Sequence, residues 1–236
     1  MPLSHWLRQA ATCAAMAMTA SAFAADVPPG QYAYTDGGSA HGTLTVKGSA
    51  FTIDTIGVNC HTCTAEGVIK GKTGLVKDSQ CRIAFSRSGD TLNLDVEATV
   101  EACRDSCGMR ASFDGEYRLP PPACTDRQRT ARVSLSHRQY AAKNYDAARG
   151  TLTALIGECK PFMHWIEIDK ARSDLAITEF HRGDRAQCLA ALSDTVAVRM
   201  TRDDSISLPP CDKDNYDPTG KAIRHNLALC QGMPQR

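Results

Sequence analysis

The first half of the chain alternates between apolar and polar residues. The pattern runs through "GQYAYT", "TLTVKG", "SAFTIDTIG", "EGVIKG", "TGLVKD", "CRIAFS" and "DTLNLDV", with Gly or Asp at most of the breaks. A period of two with turn formers between the runs predicts short antiparallel strands. "RSGD" reads as a hairpin turn between the last two runs, and "RASFDGEYRLP" supplies a final strand. Seven or eight such strands, each burying one face, are most economically arranged as a small barrel or sandwich, because closure removes exposed edges. "VEACRDSCGMR" interrupts them as a single helical turn ending at Gly108. At "RLPPPAC", Arg118 to Cys124, three prolines cannot feed a central ladder, so a linker or rigid turn is expected there.

Beyond Cys124 the period becomes helical. "SLSHRQYAAKNYDAARGTLTALIGEC" and "HWIEIDKARSDLAITEFHRGDRAQCLAALSDTVAVRM" match at an offset of 40 residues, pairing Tyr140 with Phe180, Asn144 with Asp184, Ala148 with Cys188 and Leu152 with Leu192. In each copy an aromatic ends one helix, Asn or Asp caps the next, and a small residue and Leu fill its inner face. "KARSDLAI" and "KAIRHNLAL" form a third, partial echo. Such helix pairs look like the tetratricopeptide type, whose period is roughly 34 residues; chance likeness among amphipathic helices is the plainer alternative. The expected fold is therefore α+β, with an antiparallel β domain over residues 25–123 and a helical, tetratricopeptide-like domain over 124–236.

The leader, "MPLSHWLRQAATCAAMAMTASAFAADVPPG", has a short basic start at Arg8, an apolar run to about Ala20 and small residues at Ala22 and Ala24. It predicts a secretory signal peptide over 1–24, cleaved after Ala24 or Ala25. The apolar run is short for a bilayer, which needs about 20 residues, so no membrane span is expected. The expected location is periplasmic or secreted.

Export changes how the cysteines are read. Of eleven, Cys13 lies in the leader, and ten follow it: Cys60, Cys63, Cys81, Cys103, Cys107, Cys124, Cys159, Cys188, Cys211 and Cys230. In an oxidising compartment an even set predicts disulfides, up to five here. Cys60 and Cys63 form a Cys-x-x-Cys within "VNCHTC", which admits other chemistry. A redox centre would need a helix N-terminus in a βαβ setting, whereas Gly-broken, strand-like sequence follows. Haem attachment would need His where Thr64 stands. Zinc held by Cys60, Cys63, Cys103 and Cys107 fits the spacing, with the last two on one helical face, but export favours crosslinks. Connectivity is not fixed by sequence. The expected pairs are Cys159–Cys188 and Cys211–Cys230 in the second half, with Cys81 meeting Cys60 or Cys63 in the first.

Charge narrows the partners. The net formal charge is +1. Asp26 to Ala123 carries nine basic and twelve acidic residues, and Cys124 to Arg236 carries seventeen basic and fourteen acidic. Neither half is basic enough to imply nucleic acid. No Gly-x-Ser-x-Gly, His-Glu-x-x-His or phosphate loop is present. His164 and Glu167, one helical turn apart beside Trp165, admit an acid–base or metal role, but an exposed helix face accounts for them. His181 sits at a helix end, where a cation suits the dipole. "CDKDNYDP" places Asp212, Asp214 and Asp217 at spacings that calcium uses, but the glycine and terminal Glu of an EF-hand are missing, so an acidic capping loop is expected there.

Two stretches carry a resemblance. "CRDSCGMRASFDGEYRLPPPAC" looks like a Cys-rich closing-strand motif, and "RSDLAITEFHRGDRAQCLAAL" looks like the helical part of the same group. The group is that of uncharacterised cystine-rich periplasmic proteins of Gram-negative bacteria, and the helical stretch is faintly similar to lysozyme-inhibitor-type proteins. The resemblance implies a non-enzymatic exported binding protein without a cofactor. It would act as an inhibitor or immunity protein against a cell-wall hydrolase, through a protein partner in the envelope. The alternatives are an envelope assembly or scaffold factor docking partners on its helical repeats, and an unrecognised hydrolase. The candidate binding residues are Asn59, His61 and Thr62 in one loop, and Trp165, Glu167 and His181 on the helices.

Overall fold

A computed structural model describes residues 27–36 and 40–232. The expected leader and Cys13 lie outside the described residues. Eight antiparallel strands follow one another: β1 (Gly30–Tyr34), β2 (His41–Lys47), β3 (Ala50–Ile56), β4 (Thr62–Lys70), β5 (Thr73–Val76), β6 (Arg82–Ser88), β7 (Thr91–Asp95) and β8 (Gly115–Arg118). Each pairs with its sequence neighbour, and β8 returns to β1, closing a barrel. The alternation read from sequence is the inside–outside alternation of this barrel. Leu44 and Val46, Phe51 and Ile53, Ile83 and Phe85, and Leu92 and Leu94 are all buried. Each such side chain contributes roughly 1.5–3 kcal/mol by leaving water. Three hairpins turn on two residues whose first is a glycine at positive φ: Gly48, Gly71 and Gly89. That backbone matches the twist of the paired strands and strains any residue with a Cβ.

Seven helices complete the described chain: α1 (Val100–Arg104), α2 (Asp126–Ala141), α3 (Tyr145–Cys159), α4 (Trp165–Arg182), α5 (Arg185–Leu192), α6 (Val196–Arg202) and α7 (Pro210–Gln231). The first is a short plug between β7 and β8. The triple proline ends in a 3-10 turn, Pro122–Cys124, that leads into α2. The α4 helix is central and packs on α3, α5 and α7. The matched positions of the two similar stretches occupy matched places. Asn144 accepts the Ala147 N–H at 3.3 Å and Asp184 accepts the Gln187 N–H at 3.0 Å, capping α3 and α5. Ala148, Leu152, Cys188 and Leu192 are buried beneath them.

All ten cysteines after Cys13 are paired, but not as the sequence reading expected. The bridges are Cys60–Cys211, Cys63–Cys107, Cys81–Cys103, Cys124–Cys159 and Cys188–Cys230. Cys211 and Cys230 lie at opposite ends of α7. Nineteen residues of helix separate them by roughly 28 Å at 1.5 Å per residue, which no disulfide spans. Cys159 ends α3 beside the linker and takes Cys124, leaving Cys188 to join α5 to α7. Cys81 cannot meet the cysteines at β4, because β5 lies between β4 and β6. The helical turn ends at Arg104, so Cys103 and Cys107 share no helical face; Cys107 sits opposite Cys63 as an isolated bridge. With all four of these sulfurs in disulfides, the zinc alternative has no thiolates.

Candidate functional site

The Cys-x-x-Cys is a branch point. Cys63 is bonded within the barrel unit, while Cys60, three residues earlier, crosses to the helices. The loop that splits the two has Asn59 and Cys60 in the left-handed region, at φ 59° and 56°. Asn tolerates this conformation better than most residues. The turn directs Asn59 at the start of α7. Pro209 precedes that helix and has no side-chain acceptor, and Pro210 has no N–H, so Cys211 carries the first orphan donor. Asn59 supplies the missing cap: its Oδ1 accepts the Cys211 N–H at 3.0 Å. In return the Asn59 N–H donates to Oδ2 of Asp212 at 2.9 Å. Asn215 Nδ2 donates to Cys60 Sγ at 3.2 Å.

This corrects the reading of "CDKDNYDP" as a loop. The stretch forms the first turns of α7, and its carboxylates turn to different neighbours. Asp212 is buried against Asn59, Asp217 pairs with Lys213 at 2.8 Å, and Asp214 is exposed. Among the described residues no group of three His, Cys, Asp or Glu side chains converges as a metal site.

A cleft of about 700 Å³ opens between the barrel and the helices, lined by Tyr34, Thr43 and His41 on one side and by Phe162, His164 and Trp165 on the other. His41 from β2 stacks on His164, the N-cap of α4, with centroids 4.6 Å apart and planes tilted by 21°. Nδ1 of His164 accepts the Ile166 N–H at 3.3 Å, so in the neutral ring Nε2 carries the proton. Burial holds this imidazole below its usual range; Glu167 opposes that effect, while His41 and Arg129 add to it. Burial first, then Asp36, pushes the Tyr34 hydroxyl up to about 12, so it remains a donor.

Arg129 organises the floor of the cleft. Its Nη1 donates to the Cys124 carbonyl at 2.8 Å, and its Nη2 to Asp126 at 2.7 Å and Glu167 at 3.5 Å. Its Nε is buried and has no hydrogen-bond partner among the described residues. Glu167 also accepts the His164 N–H at 3.2 Å, closing a capping box at the start of α4. His164 and Glu167 thus start a helix and line a cleft, where an exposed helix face was expected. Arg118 stands over the Phe162 ring at 5.8 Å, a further contact from barrel to helices.

The candidate residues read from sequence fall into three places. Trp165 and Glu167 line the cleft, and Trp165 packs on Tyr216 at 4.9 Å. Asn59 is half-buried in the junction, His61 lies over Gly108, where a Cβ would come within 2.7 Å of the ring, and Thr62 is exposed at the start of β4. His181 is at the far end of α4, stacked on Tyr145 at 5.3 Å and beside Tyr140 at 5.6 Å. Sequence reasoning missed Tyr34, His41, Arg129 and Phe162. They belong to separate elements, and no local spacing joins them. Comparison with protein families, curated proteins and solved structures returned no match.

Proposed function

We propose that this chain is an exported, non-enzymatic binding protein of the cell envelope that grips a protein partner in the cleft between barrel and helices. The supporting observation is the way that cleft is held. Cys60–Cys211 and the hydrogen bonds of Asn59 to Cys211 and Asp212 fasten the barrel to the helices before any partner arrives. A preformed, crosslinked site loses little entropy on binding, which suits an inhibitor or immunity protein acting on a cell-wall hydrolase. Five disulfides fit an oxidising compartment, and no helix among the described residues is long and apolar enough to cross a membrane. The aromatic lining with mutually compensated charges, Arg129 against Asp126 and Glu167, suits a protein surface better than a polyanion.

A second reading rests on the other end of α4. Tyr140, Tyr145 and His181 form a ring cluster at the seam of α2, α3 and α4, and on this reading the two capped helix pairs would act as tetratricopeptide-type repeats. That surface would serve an envelope scaffold that docks partners on its helices.

Both readings meet one experiment. Oxidised, tagged protein is used to recover partners from periplasmic extract, and each recovered hydrolase is assayed with stoichiometric wild-type or Phe162→Asp protein. Inhibition by wild type that the cleft variant loses supports the first reading. Recovery of envelope machinery that survives Phe162→Asp but not His181→Asp supports the second.

A further inference from the structure

We propose that Cys60–Cys211 is a thiol–disulfide exchange site for a dithiol reductant, and that its reduction releases the barrel from the helices while both remain folded. Three observations carry it. The first is access. In each of the other four bridges at least one cysteine is buried, whereas Cys60 and Cys211 are both partly exposed. The second is position. Cys63–Cys107 and Cys81–Cys103 lie within the barrel unit and its plug, and Cys124–Cys159 and Cys188–Cys230 lie among the linker and helices. Cys60–Cys211 joins the two, across 151 residues of sequence.

The third is the chemistry around the sulfurs. Cys211 occupies the first turn of the 22-residue α7, where the helix dipole stabilises negative charge on a departing sulfur. The sulfur that better carries negative charge is the better leaving group in exchange. Asn215 Nδ2 lies 3.2 Å from Cys60 Sγ and 3.9 Å from Cys211 Sγ, so it touches both sulfurs, whereas the Asp212 carboxylate, 3.8 Å from Cys60 Sγ, disfavours charge accumulating on Cys60. The helix terminus at Cys211 and the carboxylate beside Cys60 select one direction. A thiolate of the reductant attacks Cys60 Sγ, the Cys60–Cys211 bond breaks, and its electron pair leaves on Cys211, which takes up a proton. The reductant's second thiolate then attacks its own sulfur in the mixed disulfide. Cys60 is expelled and protonated, and the reductant departs as a disulfide, oxidised by two electrons.

Two readouts on the oxidised full-length protein test this. Limited treatment with dithiothreitol, quenched by alkylation and mapped by mass spectrometry, is expected to label Cys60 and Cys211 at least tenfold faster than any other cysteine, with far-ultraviolet circular dichroism unchanged. Labelling of another pair first, or labelling only as the circular dichroism collapses, overturns the proposal. Reduced glutathione is expected to leave its adduct on Cys60; an adduct mainly on Cys211 overturns the assigned direction. In Cys60→Ser/Cys211→Ser, the amides at the start of α7 should exchange at least tenfold faster than in wild type, while those of β3 and α3 keep their protection. Unchanged exchange at α7 overturns the release.

Discussion

Asn59 and Asp212 meet across the junction between barrel and helices: Asp212, in the first turn of α7, accepts the Asn59 backbone N–H, while the Asn59 side chain accepts the N–H of the neighbouring Cys211. A local capping box joins two residues of one helix, but here the partners come from different units. Asn59 contributes an acceptor and also tolerates a left-handed backbone. Loss of a cap costs about 0.5–2 kcal/mol. Asn59→Ala is expected to cost roughly 2 kcal/mol in urea unfolding, because it loses the acceptor and strains the backbone as well. Asn59→Gly, which relieves the strain, should cost less. Equal losses in the two would show that the backbone conformation carries no part of the effect.

His164 makes stability depend on pH in a defined direction. Its folded pKa is below the usual 6.5, mainly through burial. As pH falls from 6.5 through the folded value, the unfolded chain holds more protons, so stability is lost on acidification. The groups facing the ring are Glu167, His41 and Arg129. His164→Asn keeps a cap acceptor and removes the titration. The urea midpoint of the wild type should fall more steeply than that of His164→Asn between about pH 7.5 and about pH 5. Parallel curves would show that His164 contributes nothing to that slope.

Asp169 is a buried carboxylate at the meeting of α4, α6 and α7. It accepts the Tyr216 O–H at 2.6 Å and the Val196 N–H at 2.7 Å, and the Tyr216 oxygen in turn accepts the Ala197 N–H at 2.8 Å. Burial pushes the Asp169 carboxyl up, and burial together with the hydrogen bond to Asp169 pushes the Tyr216 phenol up. Asp169→Ala strands two buried donors and should cost about 3 kcal/mol, and Tyr216→Phe about 1–2 kcal/mol. The double variant should cost less than the sum, by an interaction energy that a thermodynamic cycle measures.

Glu179 on α4, with 4% of its side chain exposed, holds Arg149 at 2.8 Å and Arg182 at 2.6 Å. Removing it leaves two cations, but both arginines are partly exposed and can rehydrate. Glu179→Ala is therefore expected to cost about 1–3 kcal/mol, below what a fully buried pair would give. A thermal melt and a urea titration should agree on the figure.

The barrel was legible because its signal is local: a strand shows its period within five residues, and "KGSA", "KGKT" and "SGDT" mark the hairpin turns. The capped helices were legible for the same reason, through Asn144 and Asp184. The disulfide map was not. It depends on which elements end side by side, and treating each half as a closed set of cysteines excluded Cys60–Cys211 from the start. The cleft escaped for a related reason. His41 and His164 meet only because β2 and the start of α4 form opposite walls, and neither residue has a neighbour in sequence that anticipates the other. "CDKDNYDP" misled through composition: its acidic and proline residues read as a loop, while the chain continues as α7 through Pro218.

The crossing bridge also bears on how the molecule is made. Cys60 is the first of the ten cysteines to emerge from a ribosome or translocase, and its partner is the ninth. Cys63 follows three residues later and is the wrong partner. Oxidation in order of arrival would tie those two together and leave Cys211 and Cys107 stranded. Yield of the native protein should therefore rest on an enzyme that shuffles thiols, and a host without one should accumulate chains closed at the wrong first knot.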